Sequence, residues 1–396
     1  MDLGIGSAHR LLETEVTAFL REAWRPDRNW DRAARKAHEA TLRKAATERG
    51  YLYRGVPRRF GGSEQPPDVL AAEVIRAAFA KARAPMEVGG NGVTMVIPTL
   101  LECGSEAQRQ YFIPRTIAGE FRWAQGYSEP GAGSDLASLR SRAELVGDEW
   151  VINGHKIWTS YAYDCTHMFA LLRTEPDAPK HDGISYLLIP LDQPGVTIRR
   201  IRQISGQSEF CEVFLEDVRT PADWIVGERG KGWQVSKSTL KHERNSVGGG
   251  ARTQALFDSL IRFAKAAQID GKPAIEHPLI ADRIVRVEAR LAGHIYSGYY
   301  QLTRAAAGES PGLFGLMNKL SATEIGKEIA LIAQDILDAG ALVMPAEAGA
   351  ASRNPEQWLN QIFGSLGLSI AGGASNIQRN IIAERGLGLP KEPEAA

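Results

Sequence analysis

Between Gln125 and Leu139 the chain reads QGYSEPGAGSDLASL. Gly131 and Gly133 flank Ala132, and Ser128 and Ser134 stand just outside them. Such a segment can lay bare backbone against a ligand and aim N–H groups at it. No Gly-Lys-Ser/Thr follows, so it is not a Walker-type phosphate loop. With no ligand, the same residues make a turn before a strand.

A second candidate is a carboxylate. In STLKHERNSVGGG, Leu240, Glu243 and Val247 recur at i, i+3 and i+7, which puts all three on one helical face. A carboxylate on an apolar stripe is costly unless it is paired or functional, and burial lifts its pKa towards that of a working base. The chemistry it offers is proton abstraction; the alternative is an ion pair with a Lys or Arg of a neighbouring helix. Third is Trp158 in NGHKIWTS, an aromatic ring that either stacks on a ligand or fills the core of a β unit.

Other chemistries lack their residues. The eight histidines show no HExxH or paired spacing, so no metal is expected, and no Ser-His-Asp arrangement can be argued. Cys103, Cys165 and Cys211 are odd in number and scattered, which reads as reduced thiols in a cytoplasmic setting. Lys+Arg and Asp+Glu balance at 47 each, leaving no field to attract nucleic acid or an anionic membrane. The first residues lack a basic stretch followed by an apolar run, so no secretory signal is expected. No apolar run approaches the roughly 18 residues that insertion across a bilayer requires.

The elements that must position these groups fall into three textures. A chain of 396 residues exceeds one compact core, so two or three packed units are expected. Over residues 1–121 apolar positions follow helical spacing, as in LLETEVTAFLREAW and DVLAAEVIRAAFAKA. Over 122–229 the period shortens to that of strands: MFALLRT, GISYLLIPL, GVTIRRI and CEVFLEDV, separated by Pro, Gly and Asp. Within this stretch DEWVINGHKIWTS reads as two short strands turning at Asn153-Gly154, with His155 beside the turn. Over 230–396 the helical period returns and persists, predicting a bundle. The fold class expected is α+β.

Taken together, these segments resemble the acyl-CoA dehydrogenase family, whose middle domain carries Ser/Thr-Glu-Pro-Gly-x-Gly-Ser-Asp. RGVPRRFGG and GSEAQRQYFIPRTIAGE upstream and GGASNIQRNIIAERGLGLP downstream extend the resemblance from about residue 50 to 390. It implies a helical N-terminal domain, a β-barrel-like middle domain and a C-terminal four-helix bundle. It also implies FAD as cofactor and FAD-dependent α,β-dehydrogenation of an acyl-CoA substrate, an activity of lipid catabolism.

By the resemblance, Gln125 is a cofactor contact, Tyr127 and Ser128 lie along the isoalloxazine, and Trp158 covers one face or edge of it. Thr159 and Ser160 would hydrogen-bond its pyrimidine side and the N5 region. Gly133 and Ser134, with Ser375 and Asn376 from the downstream motif, complete the cofactor contacts. Ser134, Arg244, Gly372 and Gly373 are implied at the substrate, with a surface or interdomain salt bridge as the alternative for Arg244.

Relatives carry the catalytic base either just before the Ile-Gln-Arg motif, where this chain has Gly372, or on the first helix of the bundle, where Glu243 stands. The resemblance therefore makes Glu243 the base, taking the α proton as the β hydride leaves for flavin N5. The thioester carbonyl would be polarised by a ribityl hydroxyl and a backbone N–H near Gly372. Gly248, Gly249 and Gly250 either break a helix or leave room for a wide acyl group.

Two segments depart from the family. Ala267, Gln268 and Asp270 stand where relatives carry Arg-x-x-Phe-Gly, and DILDAGALVMP replaces a Gly-Gly-x-Gly turn. These departures keep open an FAD-poor or non-catalytic subunit of a heteromeric dehydrogenase. Oxygenation or elimination on the same scaffold is a further alternative. The partners implied are an electron-transfer flavoprotein and further copies of the chain, as a homodimer or homotetramer.

Overall fold

The computed structural model describes residues 6–27, 29–247, 250–310, 312–338 and 356–391, without the side chains of 241–249 and 356–357. Its contacts divide the chain into two units, residues 2–201 with 209–242, and residues 202–208 with 243–396.

The first unit opens with α1 (Ser7–Ala23), α2 (Arg32–Glu48), α3 (Val69–Ala82), α4 (Ile97–Cys103) and α5 (Glu106–Ile117). Local sequence starts three of them. Asp31 and Asp68 accept from the amides of Ala34 at 2.7 Å and Ala71 at 2.9 Å, and Ser105 with Gln108 forms a reciprocal capping box. Their apolar faces bury Val16, Phe19, Leu42, Ile75, Phe79 and Phe112.

Eight strands follow: β1 (Trp123–Gly126), β2 (Arg142–Val146), β3 (Glu149–Ser160), β4 (His167–Arg173), β5 (Ile184–Pro190), β6 (Val196–Arg200), β7 (Phe210–Pro221) and β8 (Ile225–Val226). They form one sheet ordered β6-β7-β3-β2-β4-β5-β8, with β1 parallel to β4. β4 and β5 read as continuous apolar runs because both of their faces are covered. Phe169, Leu171, Tyr186 and Leu188 join the helical core on one side. Met168, Ala170, Leu172, Leu187 and Ile189 meet Trp150, Ile152 and Val213 on the other, and this enclosed second core makes the sheet barrel-like.

The hairpin expected at Asn153-Gly154 is not there. β3 runs unbroken through both residues, His155 lies inside it, and the reversal sits at Gly147-Asp148, where Gly147 has φ 65°. Asn153 and Gly154 instead mark a register shift against β7. Asn153 Nδ2 donates to Asp217 Oδ1 at 2.9 Å and its Oδ1 accepts from the Asp217 amide at 3.0 Å, across a bulge in which Asp217 has φ 51°. Gly154 is small for a packing reason: a Cβ there would lie 2.1 Å from Ser141 Oγ.

One joint of this unit is an aromatic cluster of Phe112, Phe121, Trp123, His167 and Trp224. Burial in it pushes the His167 imidazole down to about 4, so the ring is neutral at pH 7. The unfolded chain protonates near 6.5 and the folded one only near 4, so stability present at pH 7 is lost as pH falls between those values. The expected loss is about 3 kcal/mol. Urea titrations from pH 7 to pH 4.5 should show it, and His167→Gln should flatten the dependence.

α6 (Gly232–Val247) is anchored in the first unit by Val235 and Leu240 and by a buried 2.9 Å hydrogen bond between Thr239 and Thr99. The second unit contains α7 (Gly250–Ala266), the two-stranded β9 (Gln268–Ile269) and β10 (Lys272–Pro273), α8 (Pro278–Ala306), α9 (Leu313–Leu337), α10 (Glu356–Leu368) and α11 (Ser375–Ile381). Asp270 and Gly271, both at positive φ, make the two-residue turn of the β9–β10 hairpin. Ile280, Ile284, Val287 and Leu291 on α8 repeat the spacing of Ile325, Ile329, Ile332 and Ile336 on α9 and pack in one core. This alternation of three and four residues is the seam of a helical bundle. No helix among the described residues is long and apolar enough to cross a membrane.

Candidate functional site

β1 delivers the glycine-rich segment. Gln125 pairs in register with Phe169, half-buried, and Tyr127 turns inward to the helical core at 5% exposure. Beyond Ser128 the chain reverses over Glu129–Ala132, whose end residues exchange both backbone hydrogen bonds at 3.0 Å. Pro130, Gly131, Gly133 and Ser134 are exposed, and a Cβ on Gly131 or Gly133 would meet nothing within 4 Å. Among the described residues, no side chain therefore covers the backbone of this segment at Gly131 and Gly133 on its solvent side.

β3 brings the second set against it. The Ile157 amide donates to Ser128 O at 2.9 Å, linking the loop to the strand one residue before Trp158. Register with β7 shifts between Lys156 and Thr159, and in that shift Trp158 adopts φ 60°, a left-handed conformation costly for a bulky residue. Its indole is 56% exposed, edge-on to Phe210 at 6.1 Å. The core-filling alternative for Trp158 is thus excluded. The next residue goes the other way: Thr159 is 1% exposed and its Oγ1 has no hydrogen-bond partner among the described residues. Ser160 ends the strand, half-buried.

Two residues absent from the sequence expectations lie beneath. Lys156 is completely buried, and its Nζ donates to Glu129 Oε1 at 2.8 Å, Leu171 O at 2.7 Å and Tyr127 O at 3.3 Å. Glu129 also accepts from the amides of Arg140 at 2.7 Å and Ser141 at 2.9 Å. Burial alone would raise the Glu129 carboxyl, but the Lys156 ammonium and these amides hold it below the usual range, so it is ionised. A sequence signal existed: Trp150, Ile152 and Lys156 share the inward phase of β3, and a charge there requires a partner.

In the second unit, Gly372 and Gly373 have φ 63° and 96° and form the turn between α10 and α11. A Cβ on Gly373 would approach Gln378 Nε2 to 2.5 Å, and its carbonyl accepts from the buried Lys319 Nζ at 2.8 Å. The Ser375 amide donates to Ser369 O at 2.9 Å, while Asn376 is exposed on the first turn of α11. Glu243 and Arg244 fall on the last turns of α6, and their side chains lie outside the described residues. Gly248 and Gly249 lie outside as well; Gly250 opens α7. Among the described residues no group of three or more His, Cys, Asp or Glu is placed to hold a metal.

Comparison with known proteins accounts for almost the whole chain. The Acyl-CoA dehydrogenase N-terminal domain model matches residues 6–120, the middle domain model 124–218 and the C-terminal domain model 230–387. Over 316 residues the chain is 40% identical to Acyl-CoA dehydrogenase IpdE1 of Mycobacterium tuberculosis, covering 79% of each. It is similar in structure to one chain of the crystal structure of the ChsE4–ChsE5 complex from M. tuberculosis, at 27% identity and TM-score 0.76, over 99% of this chain and 100% of that chain. A likeness of the same TM-score, at 28% identity and the same coverage, holds for the Tcur3481–Tcur3483 steroid ACAD. The chain therefore belongs to the acyl-CoA dehydrogenase family of enzymes.

Proposed function

We propose that this enzyme carries out FAD-dependent α,β-dehydrogenation of an acyl-CoA thioester, with Glu243 as the base. The observation that carries the reading is the juxtaposition on β3 of an exposed, left-handed Trp158 and a buried Thr159 hydroxyl without a protein partner among the described residues. A planar ligand laid on the loop covers the first and hydrogen-bonds the second, so the residues present fit a flavin ring. When bound, FAD supplies the hydride acceptor that no side chain offers.

The chain's own residues do the rest. Trp158 shields the ring from water, Ser128 and Ser160 line it, and Gln125 is a further cofactor contact. Tyr127, whose side chain is buried in the helical core, reaches the ring only through its backbone. Gly133, Ser134, Ser375 and Asn376 hold the remainder of the cofactor. Ser134, Arg244, Gly372 and Gly373 orient the thioester, and a backbone N–H near Gly372 polarises its carbonyl. Glu243 then receives the α proton. The reading includes an electron-transfer flavoprotein as oxidant of the reduced enzyme, a cytoplasmic location and assembly as a homodimer or homotetramer.

A second reading, an FAD-poor or non-catalytic subunit of a heteromeric dehydrogenase, draws on Asp270 in the β9–β10 turn and on the similarity to one chain of the ChsE4–ChsE5 complex. Purification separates the two: the main reading expects a yellow protein from this chain alone. Its flavin should be bleached by one class in a panel of straight, branched, ring-bearing and steroid-side-chain acyl-CoAs. A colourless protein that gains flavin only with a second chain would favour the heteromer.

A further inference from the structure

Two charges withdrawn from water are commonly replaceable by apolar side chains without loss of stability. What an apolar pair could not provide at Glu129 and Lys156 is their four backbone partners, Tyr127 O, Leu171 O, and the amides of Arg140 and Ser141. These belong to three separate stretches of chain: the loop after β1, the entry to β2, and the middle of β4. Lys156 also immediately precedes the register shift in which Trp158 takes its left-handed backbone. A conformation of that kind persists only where its surroundings over-determine it. On one side it is fixed by Lys156 and by the Ile157–Ser128 hydrogen bond, and on the other by the buried Thr159.

We propose that Glu129 and Lys156 are positioning residues for the cofactor: their buried pair locks the loop carrying Tyr127 and Ser128 against β3, so that Trp158 and Thr159 are presented in flavin-binding geometry. The proposal rests on the FAD reading above. Neither side chain touches the cofactor, and both act through backbone.

The test is Glu129→Leu/Lys156→Met, which removes both charges at once, beside the singles Lys156→Met and Glu129→Gln. Val218→Ala, a core change in β7 away from the loop, serves as the control. Each deflavinated protein is titrated with FAD, and the visible circular dichroism of the bound flavin is recorded alongside the thermal midpoint. The double variant leaves four backbone groups without their side-chain partners and should lower the thermal midpoint. It should also bind FAD about tenfold or more weakly, with an altered flavin dichroism that a lowered midpoint alone does not produce. Val218→Ala should lower the midpoint and leave FAD affinity and dichroism unchanged. Wild-type FAD affinity in the double variant would overturn the positioning role alone. A double variant that cannot fold would also overturn it, since the pair would then serve the fold rather than the loop. Wild-type protein that takes up no FAD would remove the cofactor reading and the positioning role together.

Discussion

Glu243→Gln is expected to lower turnover of the best acyl-CoA by about a hundredfold to ten-thousandfold, the range a positioned general base contributes. Glutamine keeps the shape of the side chain and loses the proton acceptor, so flavin content and thermal midpoint should stay at wild-type values. The helix carrying position 243 is anchored one turn earlier, where Thr239 is buried and bonded to Thr99. A local isosteric change therefore has little reason to move it. Steady-state assays with an artificial electron acceptor give the first comparison. Single-turnover bleaching of the flavin then separates chemistry from product release. The variant should also lose the acid limb of the wild-type pH profile, because that limb reports the base. Wild-type turnover in the variant would mean that the proton goes elsewhere.

Phe112→Ala should cost about 3–5 kcal/mol in unfolding free energy, the cost of emptying a large, fully enclosed aromatic site. Phe112 has no exposed surface and meets Trp224 edge-on at 4.8 Å and Trp123 at 5.5 Å. The loss therefore combines burial, cavity and ring-edge contributions. Because those neighbours come from β1 and from the segment before β8, the change loosens helix and sheet together. Urea unfolding followed by far-ultraviolet circular dichroism measures it. Removing the exposed 2.9 Å ion pair of Arg219 with Glu149 by Arg219→Ala should change stability by less than about 1 kcal/mol. Equal losses in the two variants would mean that the aromatic joint stabilises the fold no more than a solvated ion pair does.

Much of this was legible from residue order because it depends on local periodicity. The strands MFALLRT and GISYLLIPL declare themselves as unbroken apolar runs bounded by turn formers, and LLETEVTAFLREAW and DVLAAEVIRAAFAKA as helices by the three-four spacing of their apolar residues. Asn153-Gly154 shows where that logic fails. The dipeptide is compatible with a hairpin, but β7 offers a twelve-residue partner for the whole of β3, and Gly147-Asp148 already supplies the reversal. Cross-strand pairing over the length of β3 outweighs one favourable turn, and Asn153 is used across a bulge instead.

The order of helical and β stretches, the glycine-rich loop and the family itself were determined by the amino-acid sequence, since each rests on spacing along the chain. Only the tertiary structure decided that Trp158 faces solvent while Thr159 turns inward, and that Lys156 finds Glu129. The first depends on a backbone dihedral set by a mismatch between two strands. The second depends on bringing together residues 27 apart, and a charge in a list of residues does not say whether water or a carboxylate will surround it.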